Sequence, residues 1–215
     1  MGERADLLRS SEAAFVSGIA VHSVNRAIDD HVLPKGFFEV EGGRRLTPGA
    51  CVMIAFYHGT AEDFTAPLRK HILARFEDRL RFVEFSHYHT LAQENWKLVE
   101  HYWSVDLAPF IERTVCSYER LREAEAVVSR DEEVMGGAEV LHGTRVLVHD
   151  VAAAVSSGET LDRIRDAYPS LTDRQIELAS IYAIAHPQRG RPRMTLLPIG
   201  TERIDRKVVP RKTAG

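Results

Sequence analysis

Helix start and stop signals cut the stretch from Asp150 to Pro187 into three short pieces, and this punctuation constrains the fold more than any other feature of the chain. DVAAAVSSGE reads as one short helix ended by Gly158. TLDRIRDAYPSL reads as a second, with Thr160 as its N-cap and Pro169 as its break. TDRQIELASIYAIAHP is a third, opened by Thr172 with Gln175 three residues on, a capping box, and stopped by Pro187. Three helices this short cannot stand alone, so they pack as a helix-turn-helix-like bundle. The folded segment begins near Val127, and MGGAEVLHGTRVLVHD supplies a turn, a short strand, a second turn at Gly143 and a return into helix. Within it, His142 lies before the turn and His149 at the far end of a strand, and nothing in their spacing forces them together. Asp150 falls in the first turn of the following helix, where a carboxylate favours the positive end of the helix dipole. The cluster of His, Arg and Asp around this turn is therefore read as structural.

The first half has a pattern of its own. In SSEAAFVSGIAVHSVNRAIDDHVL, Ala13, Ala14 and Val16 make one apolar stripe and Val21, Val24 and Ile28 another, with Gly18 between them. Two short helices around a Gly-containing turn form a helix-turn-helix, whose second helix can enter the DNA major groove. FFEVEGGRRL then reads as a strand, a Gly42-Gly43 turn suited to a two-residue hairpin and a basic return strand, which makes a wing. Thr47 and Pro48 cap a helix running toward Tyr57, and Pro67 with Leu68, Ile72, Leu73, Phe76 and Leu80 marks another. On this reading His22, Ser23, Asn25 and Arg26 face base edges, and Arg44 and Arg45 of the wing contact phosphates. The cap position before the second helix is Ala20, and Arg26, Lys35, Arg44 and Arg45 are opposed by Asp29, Asp30, Glu39 and Glu41. A single copy of this domain is thus expected to bind DNA modestly and to depend on dimerisation or on the tail.

Between these halves, RFVEF and WKLVEHYWSVDL look strand-like, and FIERTVCSYERLREAEA places Phe110, Thr114, Tyr118 and Leu121 on one helix face, either a dimer seam or ordinary packing within the chain. The expected organisation is a winged helix-turn-helix over residues 1–85, a strand-and-helix connector with a dimer role over 86–126, a helical domain over 127–187 and a basic tail over 188–215. The fold class is mainly α with small β elements, α+β.

Composition narrows the function classes. With 44% hydrophobic and 27% charged residues over 215 positions, the chain belongs among ordinary globular proteins. Its longest apolar run, Cys51 to Tyr57, is far short of the roughly 20 residues of a membrane span. The opening MGERADLLRSS carries charges where a signal peptide needs apolar residues, so the expected location is the cytoplasm. Cys51 and Cys116 lack any CxxC or Cys/His partner spacing and read as thiols in a reducing compartment. His87, His89 and His101 are the suggestive histidine group, and an H-x-H on a strand can offer two metal ligands. No third ligand accompanies them at a fixed offset, and HExxH, Walker, GxGxxG and GxSxG motifs are absent from the sequence. Neither an enzyme nor a cofactor is expected. The net charge of −3 hides a cationic tail, in which Arg189, Arg191, Arg193, Arg203, Arg206, Lys207, Arg211 and Lys212 face only Glu202 and Asp205.

EVMGG together with GTRVLVHDVAAAVSSGETLDRIRDAYPSLTDRQIELASIYAIAHP closely resembles a small helical domain long catalogued as a domain of unknown function and now placed among VapB-type antitoxins. The Met-Gly-Gly turn, the G-T-R strand entry, the S-G-E junction, the Tyr-Pro-x-Leu-Thr break and the final Gln/Ile-rich helix occur in order between Glu133 and Pro187. The N-terminal half resembles the MerR-type winged helix-turn-helix of longer members of that family. The resemblance implies the antitoxin of a bacterial type II toxin–antitoxin pair, a dimer that binds its own operator DNA and masks a PIN-like ribonuclease toxin. In the tail, Arg189, Arg191 and Arg193 precede Met194, Leu196 and Leu197, and these six are the expected toxin-binding residues, the arginines pairing with the acidic groove of the nuclease. Two other readings stand beside this one. The first is a MerR-like transcription regulator whose C-terminal domain senses a small molecule without a toxin partner. The second is a metal-dependent enzyme built on the histidine-rich middle.

Overall fold

The computed structural model describes residues 7–85, 91, 94–100 and 102–188. Within them lie eight helices and three small antiparallel sheets, so the protein is mainly α with small β elements. The elements follow as β1 (Leu8–Arg9), α1 (Ser10–Ser17), α2 (Val21–Asp29), β2 (Phe38–Glu39), β3 (Arg45–Leu46), α3 (Pro48–Gly59), α4 (Ala66–Leu80), β4 (Lys97–Glu100), β5 (Trp103–Asp106), α5 (Ala108–Ala126), β6 (Val128–Arg130), β7 (Glu139–Leu141), α6 (Val148–Ser156), α7 (Leu161–Ala167) and α8 (Asp173–Ala185).

Helix α1 begins at the extended Arg9, whose backbone N–H donates to the Glu12 carboxylate at 2.8 Å. It ends where Gly18 takes a left-handed φ of 70°, a conformation costly for a side chain with a Cβ. Ala20 is the N-cap of α2 and offers no side-chain cap bond. β3 lies between β1 and β2, with Leu46 opposite both Leu8 and Phe38. The hairpin is wider than the sequence predicts. Pairing stops at Glu39 opposite Arg45, so residues 40–44 form the loop and the N–H of Gly43 donates to the Val40 carbonyl at 3.2 Å. β1 has only two residues, too few for an alternation to announce it.

Helix α3 is the axis of the N-terminal core. Thr47 caps it by accepting from the Ala50 N–H at 3.3 Å, Pro48 occupies its first turn, and every residue from Pro48 to Phe56 is buried. A helix buried all round needs an apolar residue at each position, which is why this run shows no amphipathic period. Helix α4 lays Ile72, Leu73, Phe76 and Leu80 into the same core. Residues 81–85 do not form the strand that RFVEF suggests; Val83 and Phe85 are instead buried in the core after the end of α4. The second strand-like segment is a hairpin, β4 with β5, and Trp96 beside it donates its indole N–H to the Leu91 carbonyl at 2.8 Å.

Helix α5 corrects the expectation of a connector whose apolar face is free for a partner. Leu121 is fully buried, the Phe110 ring sits 5.3 Å from that of Phe56, and Tyr118 sits 5.0 Å from Phe85. Thr114, also fully buried, satisfies its hydroxyl by donating to its own helix. This face packs on the N-terminal core, which is the second of the two readings its sequence offers.

The C-terminal unit is smaller. Leu141, Val148, Val151, Ile164, Leu171, Ile176 and Ala179 form its core beneath the β6–β7 ladder, in which Arg130 faces Glu139. Each helix signal read from the sequence is present: Thr160 accepts from the Arg163 N–H, Thr172 and Gln175 close a capping box, and Asp150 stands in the first turn of α6. One assignment moves, because α6 begins at Val148 after an extended Leu147. His149 therefore lies in the helix rather than at a strand end. The unit docks on α5 through Ala124, Leu178 and Ile181, flanked by pairs of Arg174 with Glu123 and of Arg120 with Glu177. Among the described residues, no helix is long and apolar enough to cross a membrane.

Candidate functional site

Two surfaces carry chemistry, and the first is the outer side of the helix-turn-helix. His22 and Arg26 are exposed on α2, Arg26 lying 3.7 Å from Asp30, while Ser23 is half-buried. Asn25 is turned inward, and its side-chain oxygen accepts from the Ser10 hydroxyl at 3.1 Å. Arg44 reaches back from the hairpin loop onto α2, donating to both carboxylate oxygens of Asp29 at 2.7 and 3.2 Å and to the Asn25 carbonyl at 3.2 Å. A fork held this way fixes the hairpin against the helix rather than standing free for a phosphate. Arg45 is half-buried on β3 and faces the second surface.

Positive charge gathers beside α2 from residues that sequence reading missed. His58, near the end of α3, is held below the ordinary histidine value, first by burial and then by the charges of Arg69, Arg26 and His22. The Arg69 guanidinium lies over the Tyr57 ring, 4.2 Å from its centroid, and donates to the Tyr57 carbonyl. Lys70 reaches the Asp30 carbonyl at 3.2 Å, close to the end of α2. His22 and Arg26 thus lie near His58 and Arg69, 32 to 47 positions further along the chain, with Arg26 and Arg69 as the standing positive charges. No local motif marks this grouping, because it exists only once α3 and α4 fold back beside α2.

The second surface is an open cleft of about 1450 Å³, bounded by the hairpin, the start of α1, the end of α5 and the C-terminal unit. Two Glu–His pairs stand in it around Tyr182. On one side, His149 Nε2 lies 3.0 Å from Glu139, which also pairs with Arg130. Burial tends to raise the Glu139 carboxyl, but hydrogen bonds from His149 and Tyr182 and the charge of Arg130 outweigh it and hold the group below the usual range. The Tyr182 phenol is pushed upward by burial and by the Glu139 charge. On the other side, His186 Nε2 lies 3.0 Å from Glu125, and its Nδ1 lies 3.5 Å from Glu12. Burial again opposes ionisation of Glu125, and bonds from His186 and Arg122 again prevail to lower it. The rings of Tyr182 and His186 are 4.5 Å apart.

His142 is exposed beside Gly143 and is not among the residues that line this cleft. The expected toxin-binding residues Arg189, Arg191, Arg193, Met194, Leu196 and Leu197 lie outside the described residues, as do His87, His89 and His101. Sequence reading found His149 but none of its companions. Glu12, Glu125, Glu139, Tyr182 and His186 are spread over the chain from α1 to the end of α8, and each has an unremarkable neighbourhood: a first helical turn, a charged helix end, a strand edge, a helix interior and a residue before proline.

A family described as "Protein of unknown function (DUF433)" matches residues 128–183, which cover the β6–β7 ladder and nearly all of the following helices. No solved structure matches the chain. Over 213 residues, the chain is 38% identical to the uncharacterized protein y4eO of Sinorhizobium fredii (strain NBRC 101917 / NGR234), a similarity covering 98% of this chain and 96% of that relative. Because it runs through both units and the seam between them, this chain belongs to the same family as the Sinorhizobium protein.

Proposed function

We propose that the protein is the antitoxin of a bacterial type II toxin–antitoxin pair, acting in the cytoplasm as a homodimer that binds its own operator DNA and neutralises a PIN-like ribonuclease. The observation that carries the DNA-binding half is the exposed pair His22 and Arg26 on α2 of a helix-turn-helix, with the exposed Lys70 beside the end of that helix. Phosphate contacts supply most of the affinity of such domains, and base-edge contacts add specificity. In this reading His22, Ser23 and Arg26 meet the bases, the exposed Lys70 meets a phosphate, and Arg44 orients the hairpin through Asp29 and Asn25. Arg45 belongs to the same hairpin. The neutralising half rests on the antitoxin-like resemblance of residues 133–187 and on the tail from Gln188, whose arginines and Met194, Leu196 and Leu197 suit an acidic nuclease groove.

The test uses the full chain and the DNA upstream of its gene in a salt titration. Arg26→Ala with Lys70→Ala is expected to weaken binding to all sequences and to lower the slope of affinity against salt by roughly one unit per lost phosphate contact. Replacing Arg44 and Arg45 by Ala lowers affinity as well, through loosening of the hairpin. Unchanged affinity and slope in the first pair would remove the DNA reading. Truncation after Pro187 is expected to abolish co-purification with the neighbouring gene product while DNA binding largely survives, and the reverse result would overturn the toxin assignment.

The second reading, a MerR-like regulator with a small-molecule effector and no toxin, is favoured by the polar cleft between the hairpin and the C-terminal unit. An isolated gene with no adjacent nuclease gene would support it.

A further inference from the structure

Glu12, Glu125 and His186 bring two carboxylates and one imidazole, from three separate helices, together at the edge of the cleft. Each carboxylate spends one oxygen at home: Glu12 Oε2 accepts from the Arg9 backbone N–H at 2.8 Å, and Glu125 Oε2 accepts from Arg122 at 2.9 Å. Both remaining Oε1 atoms turn to the same imidazole, Glu125 at 3.0 Å from Nε2 and Glu12 at 3.5 Å from Nδ1. Two carboxylates on one ring are held together either by an imidazolium that donates from both nitrogens or by a cation shared among the three groups. The side chains are 11%, 26% and 17% exposed for Glu12, Glu125 and His186, so the group is half-buried with access to the cleft.

We propose that these three residues form a binding site for a divalent transition-metal ion of the Zn²⁺ class. One imidazole nitrogen and two carboxylate oxygens are ligands such ions accept, and one atom from each residue already lies within 4.8 Å of the others. A shared ion bonded at about 2.0–2.2 Å holds its ligands about 3 to 3.5 Å apart, so binding draws the three groups together and replaces the present contacts of His186 with the two glutamates. All three residues line the open cleft, so water has access to complete the coordination. The three ligands come from the first turn of α1, the end of α5 and the C-cap of α8. The ion therefore staples the C-terminal unit to the first helix of the helix-turn-helix. This inference stands independently of the antitoxin reading.

The experiment titrates Zn²⁺ alone into the chelator-treated full chain by calorimetry. One ion per chain is expected, together with a higher thermal midpoint. His186→Ala and Glu125→Gln are each expected to weaken binding at least about tenfold and to lose the Zn²⁺-dependent rise in midpoint. Glu125→Gln keeps the shape of the side chain, and its circular dichroism without metal reports whether it has folded. Glu12→Gln, which retains an acceptor for the Arg9 N–H, is expected to act in the same direction. Three controls carry the other metal-binding candidates of the chain, His149→Ala, Cys116→Ser and the double change His87→Ala with His89→Ala, and all three are expected to bind as the unaltered protein does. The proposal is overturned if Zn²⁺ gives no binding at micromolar protein. It is equally overturned if binding survives His186→Ala in a folded chain, or if it is lost through one of the controls instead.

Discussion

The two units solve the stability problem differently. The N-terminal unit is organised around α3, a helix buried on every side and surrounded by α1, α4 and α5, so burial of apolar surface dominates. The C-terminal unit surrounds a core of seven buried side chains with capped helices, a three-residue ladder and a seam onto α5. Small units bury a low fraction of their surface and are correspondingly marginal. The C-terminal unit therefore takes part of its stability from its neighbour: Ala124, Leu178 and Ile181 form an apolar seam, and His186 ties the end of α8 to Glu125 and Glu12.

Four experiments break or sharpen this contrast. The largest effect is expected from Phe56→Ala at the centre of the N-terminal core, a loss of about 3–5 kcal/mol from the removed ring and the cavity it leaves. Urea melts should show both units losing stability together, since the second leans on the first. Leu178→Ala removes a fully buried side chain from the seam, at about 2–5 kcal/mol. Here the C-terminal unit is expected to melt ahead of the N-terminal one, and two resolved transitions by calorimetry would check it. Thr172→Ala opens the capping box of α8 and should cost about 1 kcal/mol, confined to the C-terminal transition. The smallest effect is that of pH. Glu125 and Glu139 are both held below the usual carboxylate value in the folded chain, so each contributes stability in full above the unfolded value, near 4.5, and loses it as the pH falls through the lower folded value. Glu139→Gln is therefore expected to flatten the acid side of the stability profile of the C-terminal unit, and an unchanged profile would remove Glu139 from its stabilising role.

Legibility followed the range of the interactions. Caps at Thr47, Thr160 and Thr172, the left-handed turn at Gly18 and the stops at Gly158, Pro169 and Pro187 were readable because each acts within about one helical turn. The β1 strand, the buried course of residues 81–85 and the inward turn of Phe110 and Tyr118 were not. A two-residue strand has no period, and an apolar helix face is the same in sequence whether it meets its own core or another chain. Of the expected DNA-facing residues, His22 and Arg26 stand exposed, while Asn25 and Arg44 are engaged with Ser10 and Asp29. A polar side chain is legible as a type, but its partner is not.

By itself, then, the sequence determined where helices start and stop, the mainly α class, and the helix-turn-helix and C-terminal bundle as local units, because cap bonds, backbone restrictions and apolar periodicity act between residues close in the chain. Only the tertiary structure decided that α5 completes the N-terminal core, that His58 and Arg69 join α2, and that Glu12, Glu125 and His186 meet. Burial and charge act through space, and the residues they joined here are separated by tens of positions along the chain.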